Sequence, residues 1–344
     1  MRYKLKPLAE QTIVVTGASS GIGLEVATRA VERGAQVLLV ARNKDSLARI
    51  AARLRRCGSR VAMCAIDVAE PAAAEAIADT AVREFGGFDT WINDAAVTVY
   101  GTLDQISEEE HRRVLDVNYF AALNGSTAAL RHLRRRGGGA IINIGSILSD
   151  RALILQTPYS AAKHALRAMT TGLRMDIDRE GLAVSVTLIK PSALHTPFPE
   201  HARNYMELPP RLPQIVYDPG LAADAILFAA EHPRRQIYVG GYGFLLSVLA
   251  RLFPRTTDRL MELFFVRAQQ SAVRADDPRR RDNLFEPGED GDVEGHQPVH
   301  VRRHSLLVAV QKHPAAVVGL GAGIAVALAA TARTLARRTN PVAE

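Results

Sequence analysis

The sequence predicts an α/β protein: a seven-stranded, doubly wound parallel sheet with helices on both faces, followed by a C-terminal helical extension. Three observations predict it. Over the first 245 residues, short apolar runs alternate with longer helical patterns, as βαβ units do. The runs are rich in Val and Ile and mostly apolar throughout, which suits strands covered on both faces. The first run also passes through a glycine-rich turn, TGASSGIG at 16–23, into a helical stretch.

The strands expected are Thr12–Thr16, Gln36–Ala41, Val61–Ile66, Asp89–Asn93, Ala140–Gly145, Ala183–Lys190 and Gln236–Val239. Between them lie helices over Gly23–Arg33, Lys44–Cys57, Pro71–Phe85, Ser107–Arg135, Pro158–Glu180 and Leu221–Glu231. Residues 191–219 break the pattern, because seven of the seventeen prolines fall there. Proline fits neither a helix interior nor a central strand, and a loop of this length reads as a lid or binding loop. Residues 1–245 thus form the main domain, and 246–285 a helical extension. Within 242–285, Tyr242–Phe253 and Leu260–Val266 are strongly apolar, with Arg251, Arg255, Arg259 and Arg267 among them. Helices packed on the domain or on another subunit account for this block, and a membrane-facing or substrate-facing surface is the alternative. Residues 286–300 are acidic and rich in Gly and Pro, so they read as a flexible, solvated linker. Residues 301–344 form a basic-flanked apolar tail.

The turn after the first strand is a candidate phosphate-binding loop comprising Gly17, Ser19, Ser20, Gly21, Ile22 and Gly23. Glycine lets the backbone turn sharply and approach a pyrophosphate, and the following helix points its N–H groups at the phosphates. At the end of the second strand, an acidic residue would bind the ribose 2′-hydroxyl of NAD(H). Ala41, Arg42 and Asn43 stand there instead. The planar fork of Arg42 suits a 2′-phosphate, so the reading is NADP(H) rather than NAD(H). Asp67, ending the third strand, could accept from the adenine amino group or cap a helix.

Tyr159 and Lys163 lie four residues apart in PYSAAKHAL, on one face of a helix. A phenol of pKa about 10 becomes a useful acid or base near neutrality when a nearby ammonium stabilises its phenolate. Ser146 ends the preceding strand, and its hydroxyl suits the orientation of a substrate oxygen. His and Cys show no metal-ligand spacing, and no metal is expected.

On these residues the chain resembles the short-chain dehydrogenase/reductase (SDR) family, with its Rossmann-type core. The matching elements are TGASSGIG at 16–23, NDAA at 93–96, Asn118, Ser146, YSAAK at 159–163, and Pro191, Ser192 and Thr196. The resemblance covers roughly residues 8–245. It implies that Tyr159 is the general acid/base, that Lys163 binds the nicotinamide ribose and assists it, and that Ser146 holds the substrate oxygen. It implies that Asn118 holds a water in a proton relay. Asn93 would support sheet and cofactor, with Pro191 and Thr196 at the cofactor's carboxamide or phosphates. It also implies dimers or tetramers built through the two long helices around Asn118 and Tyr159. The chain departs from the family pattern at Asp94, Ala96 and Ser192, and His195 precedes Thr196, where it could approach the cofactor.

The formal charge is +7 over 344 residues, which invites a search for a polyanion. Residues 299–344 carry a net +5, so the body holds only +2. No nucleic-acid recognition motif appears, and nucleic acid is not expected as a partner. Pro314–Ala332 is a run of nineteen uncharged residues between Arg302, Arg303 and Lys312 on one side and Arg333, Arg337 and Arg338 on the other. Such a run can span a hydrocarbon core of about 30 Å. Gly319 and Gly323 form a Gly-x-x-x-Gly pair. Its eight alanines make the run weakly hydrophobic, so a surface-lying or soluble helix stands beside a membrane anchor. The first residues lack the apolar run of a signal peptide, and Cys57 and Cys64 are the only cysteines. The expectation is a cytoplasmic catalytic domain, anchored to a membrane at its C-terminus.

The resemblance implies NADP(H)-dependent interconversion of an alcohol with a ketone or aldehyde, and the tail favours a lipophilic substrate. The alternatives are a 3-oxoacyl-thioester reductase of fatty-acid type, with Arg131–Arg136 as a patch for an acidic carrier, and a non-catalytic membrane-tethered NADP-binding scaffold.

Overall fold

A computed structural model describes residues 4–271, 282–288 and 290–312. Seven parallel strands form the main sheet: β1 (Thr12–Thr16), β2 (Gln36–Ala41), β3 (Val61–Ala65), β4 (Thr90–Asn93), β5 (Gly139–Ile144), β6 (Val184–Pro191) and β7 (Gln236–Val239). Their order is β3-β2-β1-β4-β5-β6-β7, so the winding direction reverses between β1 and β4. Parallel neighbours require a crossover, and the crossover helices cover both faces. Helices α1 (Gly21–Glu32), α2 (Lys44–Arg55) and α7 (Pro219–Glu231) pack on one face. On the other lie α3 (Ala73–Phe85), α5 (Ala121–Arg136) and α6 (Thr157–Glu180), around Phe88 and Trp91. This two-sided burial explains why the strand residues are apolar without alternation: all five residues of β1 and all eight of β6 are buried.

One predicted helix proves to be three segments. The stretch expected over 107–135 runs as α4 (Glu108–Leu115), a π-helical turn over Asp116–Phe120, and α5. The widened turn shifts the helical phase by one residue, which a 3.6-residue periodicity cannot reveal. It sets Asn118 against the loop after β4: its Oδ1 accepts from the Val97 N–H and its Nδ2 donates to the Val97 carbonyl, both at 2.8 Å. The N-terminus of α4 is closed by a capping box between Ser107 and Glu110. Glu110 also accepts from Arg203 at 2.8 Å and from the Tyr205 hydroxyl at 2.7 Å, tying the proline-rich loop to the domain. Burial acts against this carboxylate's charge, yet these donors hold its pKa down at about 2.

Beyond the sheet, α8 (Gly241–Leu252), α9 (Pro254–Leu260), a π turn over Met261–Phe265 and α10 (Val266–Ala268) follow β7, and α11 (Leu306–Lys312) packs beside β7. The segment expected as a solvated linker is laid across the body instead. It ends in a two-residue parallel pairing of Val301–Arg302 with Val216–Tyr217. Pro314–Ala332 lies outside the described residues. Among the described residues no helix is long and apolar enough to cross a membrane.

A buried polar network couples β4 to β5 and α5. Asn93 Oδ1 accepts from Trp91 Nε1 at 2.7 Å, and Asn93 Nδ2 donates to Asn143 Oδ1 at 2.8 Å and to Ser126 Oγ at 3.1 Å. Asn143 in turn donates to Thr170 on α6. A Cβ at Gly125 would sit 2.5 Å from Asn93 Oδ1, so α5 approaches this closely only through glycine. Asn93→Ala leaves the Trp91 indole N–H and the Asn143 carbonyl buried without that partner. It is expected to destabilise the fold by about 2–3 kcal/mol, read as an earlier urea midpoint at unchanged slope.

Candidate active site

The reversal between β1 and β4 opens a crevice at the C-terminal ends of the strands, the position that doubly wound sheets offer a ligand. A cavity of about 310 Å3 lies there. Its wall brings together Gly17, Ser19, Ser20, Gly21, Ile22, Arg42, Asp67, Ser146, Tyr159, Lys163, Pro191 and Thr196. The predicted site residues therefore converge, with three exceptions. Gly23 lies behind the loop: a Cβ there would meet the Gly17 carbonyl oxygen at 2.3 Å, so its absence lets α1 pack onto the turn. Asn93 is directed into the network described above, and Asn118 clamps Val97. The hydrogen bonds of Asn93 run into the interior, so in this structure its side chain braces the sheet.

Tyr159 and Lys163 occupy the first turns of α6, where their spacing puts both on the face toward β5. The Lys163 ammonium donates to the Ile144 carbonyl at 2.7 Å and stands 5.4 Å from the centre of the Tyr159 ring. Burial lowers its pKa to about 8. Enclosure raises the Tyr159 phenol above its ordinary value, a hydrogen bond with Ser146 opposes this, and the charges of Tyr100 and Asp94 add to the rise. Ser146 also caps a short 3-10 turn, accepting from the Leu148 N–H at 3.1 Å, so its hydroxyl position is set by backbone.

The departures from the family pattern have structural consequences. The Asp94 carboxylate is held by the Gly23 N–H and faces Lys163; burial pushes its pKa up to about 7, against the pull of that lysine. Ser192 abuts α8: Cβ atoms at Gly240 and Gly243 would lie 2.8 and 3.0 Å from its own Cβ. The His195 ring turns away from the cavity, with its Nε2 3.1 Å from the Gln297 carbonyl oxygen. Asp67 does not cap α3. Its Oδ1 accepts from the Ala69 N–H at 3.0 Å and its Oδ2 from Arg113 at 2.5 Å.

The largest difference from the sequence reading is the strap formed by residues 282–288 and 290–300. Ser19 Oγ donates to Asp290 Oδ2 at 2.6 Å, and the Gly21 N–H donates to the Asp292 carbonyl at 2.9 Å. Arg42 donates to the Phe285 carbonyl at 2.7 Å and to that of Asn283. Asn43 and Arg113 hold the Gly288 and Leu284 carbonyls. An acidic segment thereby meets the donors of the glycine-rich turn and the arginine after β2. Leu284 is fully buried and Phe285 packs against a core cluster, although both lie in the stretch expected to be a helical extension and are not helical; Val293, inside the expected acidic linker, packs against another cluster. Those three side chains were the signal that the segment is docked.

The sequence matches the short chain dehydrogenase family over residues 11–206. The uncharacterized oxidoreductase YxnA of Bacillus subtilis is 40% identical over 334 residues, covering 96% of this chain and 93% of that protein. The putative oxidoreductase SadH of Mycobacterium tuberculosis is 30% identical over 72% of this chain and 92% of its own length. Among solved structures, L-sorbose reductase from Gluconobacter frateurii, complexed with NADPH and L-sorbose, superposes with a TM-score of 0.59 at 26% identity, over 67% of this chain and 95% of that one. An alcohol dehydrogenase from Thermococcus sibiricus, at 24% identity, shares the fold. With half the chain and more matched, and the glycine-rich turn, Ser146, Tyr159 and Lys163 gathered in one crevice, the protein belongs to the short-chain dehydrogenase/reductase family and is an oxidoreductase.

Proposed function

We propose that the protein is an NADP(H)-dependent oxidoreductase that interconverts a lipophilic alcohol with its ketone or aldehyde. The observation that carries this reading is the juxtaposition of Tyr159, Lys163 and Ser146 at one end of a cavity whose other end holds the glycine-rich turn and Arg42. The donor set fits a dinucleotide: Ser19, Ser20 and the Gly21 and Ile22 N–H groups for the phosphates, and Arg42 for a 2′-phosphate. Such a cofactor has to take over the Ser19, Gly21 and Arg42 contacts now made by the strap. When bound, its nicotinamide supplies or receives the hydride.

The protein's own residues handle the oxygen and its proton. Ser146 holds the substrate oxygen beside the Tyr159 hydroxyl. Tyr159 gives its proton to that oxygen in reduction and takes it back in oxidation. Lys163, kept in place by the Ile144 carbonyl, stabilises the phenolate electrostatically. The Asn118 side chain is committed to Val97, so a relay water at this position is held by main-chain groups. Positioning within the enclosed crevice supplies much of the remaining acceleration. The apolar wall around the reacting end, with Phe198 5.6 Å from the Tyr159 ring, Leu148, Leu153, Leu246 and Phe265, supports a lipophilic substrate.

The acyl-carrier reading fares worse. Arg131, Arg134 and Arg136 are paired with Glu75, Glu180 and Asp89, which leaves little free charge for an acidic carrier. A complete Ser146/Tyr159/Lys163 set argues against a non-catalytic scaffold. Exposed Phe120 and Met175 support oligomer contacts through the helices around Asn118 and Tyr159. Anchoring by residues 314–332 stays part of the proposal.

Tyr159→Phe is expected to lower kcat by about 100-fold or more while NADPH still binds, measured by turnover and by cofactor fluorescence titration. Retention of more than about a tenth of the rate would refute the acid/base role. Arg42→Ala is expected to weaken NADPH by about 10- to 100-fold and to leave NADH little changed, since a charge-assisted bond is worth about 1.5–3 kcal/mol. Equal losses for both cofactors would remove the 2′-phosphate assignment. Asp94→Asn removes the charge that favours protonated Lys163. The alkaline limb of kcat/KM, set by loss of the Lys163 proton near pH 8, should therefore move to lower pH. A limb that stays put or moves upward would separate Asp94 from the lysine.

A further inference from the structure

The helices after β7 are amphipathic in the wrong sense for a soluble surface. Along α8 the residues turned inward are small: Gly243, Ser247 and Ala250 are buried. A Cβ at Gly243 would lie 2.5 Å from Ile147 Cγ2, so the helix backbone rests almost directly on the turn that carries Ser146. The large side chains point out. Leu245, Leu249 and Leu252 are 54%, 40% and 64% exposed, and Leu263 and Phe264 on the following π turn are 68% and 62% exposed. Ten of the sixteen large hydrophobic residues exposed among the described residues fall within 242–264. A soluble helix buries such a stripe and shows its polar side.

The charges around this face are of one dominant sign. Arg251, Arg255, Arg259 and Arg267 alternate with the apolar residues. Of the two acidic residues in the same stretch, Asp258 is already paired with Arg151, which leaves Glu262. A symmetric pair of copies meeting through this face would set arginine against arginine. An anionic lipid surface accepts both features. Its acyl boundary takes the leucines and phenylalanines, and its headgroups take the guanidinium groups.

We propose that the face formed by α8 and the Met261–Phe265 turn docks on an anionic phospholipid bilayer, seating the helices in the interface without spanning it. The same helices present Leu246 and Phe265 to the cavity, so the docked lipid stands against the wall of the reacting end. The docking itself is independent of the reaction and of the tail.

Leu249→Trp in the full chain tests it, because Trp91 is the only native tryptophan and is 1% exposed. The probe is vesicles of phosphatidylglycerol and phosphatidylcholine carrying nitroxide-labelled lipid. On binding, emission from the introduced indole should shift to the blue and be quenched several-fold. Exchanging Arg251, Arg255 and Arg259 for Glu in the same background should weaken this by about tenfold or more. Leu263→Trp gives a second reporter should Leu249→Trp disturb folding, which far-ultraviolet circular dichroism checks. The proposal is overturned if the protein ignores the vesicles. It is equally overturned if vesicle-bound protein leaves the indole solvent-exposed and unquenched, which assigns attachment to residues 314–332 alone. An indole already shielded without lipid, and unquenched with it, assigns the face to a second copy or to the tail and overturns it too.

Discussion

Parallel pairing is the constraint on which the rest of this protein depends. Strands that run the same way cannot be joined by a hairpin, so every connection climbs over a face of the sheet and returns. All seven C-terminal ends therefore open on one side, and the reversal of winding between β1 and β4 leaves a gap there that no crossover fills. Residues far apart in the chain arrive in that gap because each follows the end of a strand. The glycine-rich turn follows β1, Arg42 follows β2, Asp94 follows β4, Ser146 follows β5 and Thr196 follows β6. Tyr159 and Lys163 are the exceptions in origin, coming from the α6 helix, and the bond of Lys163 to the Ile144 carbonyl ties that helix to the end of β5.

Within the gap, electrostatics are set by enclosure. Low access to water acts against every charged form, raising Tyr159 and Asp94 and lowering Lys163. The three groups then act on one another over short distances, so the charge state of one depends on the others. Asp94, one of the departures from the family pattern, adds a titrating group beside Lys163 in this gap. The strap brings further acidic groups, Asp290 among them, to the opposite end of the same crevice. Both ends of the site are thus shaped by carboxylates drawn from outside the shared core pattern.

The part of the described chain that follows β7 is layered on this core in two different ways. The strap uses backbone carbonyls and a few apolar side chains, and it reads locally as polar and irregular. The helices after β7 turn their small residues to the core and their large ones outward. Each arrangement makes sense only through what it touches: the glycine-rich turn in one case, the Ser146 turn in the other.

The sequence by itself determined the sheet, its parallel sense and the residues of the crevice. Strands β1, β2 and β7 have the bounds that their apolar runs indicate, because an uninterrupted Val/Ile run between turn residues has few other solutions. The glycine turn, Ser146 and the Tyr159/Lys163 pair were legible for the same reason, since each depends on spacing within a single element or at its end. Tertiary structure alone decided the π turn that aims Asn118 at Val97, the inward direction of Asn93, the docking of residues 283–297 and the outward face of α8. Those outcomes rest on contacts between elements that local periodicity does not encode. Arg42 meets Phe285 across more than two hundred residues, and that meeting depends on where the intervening domain has already folded.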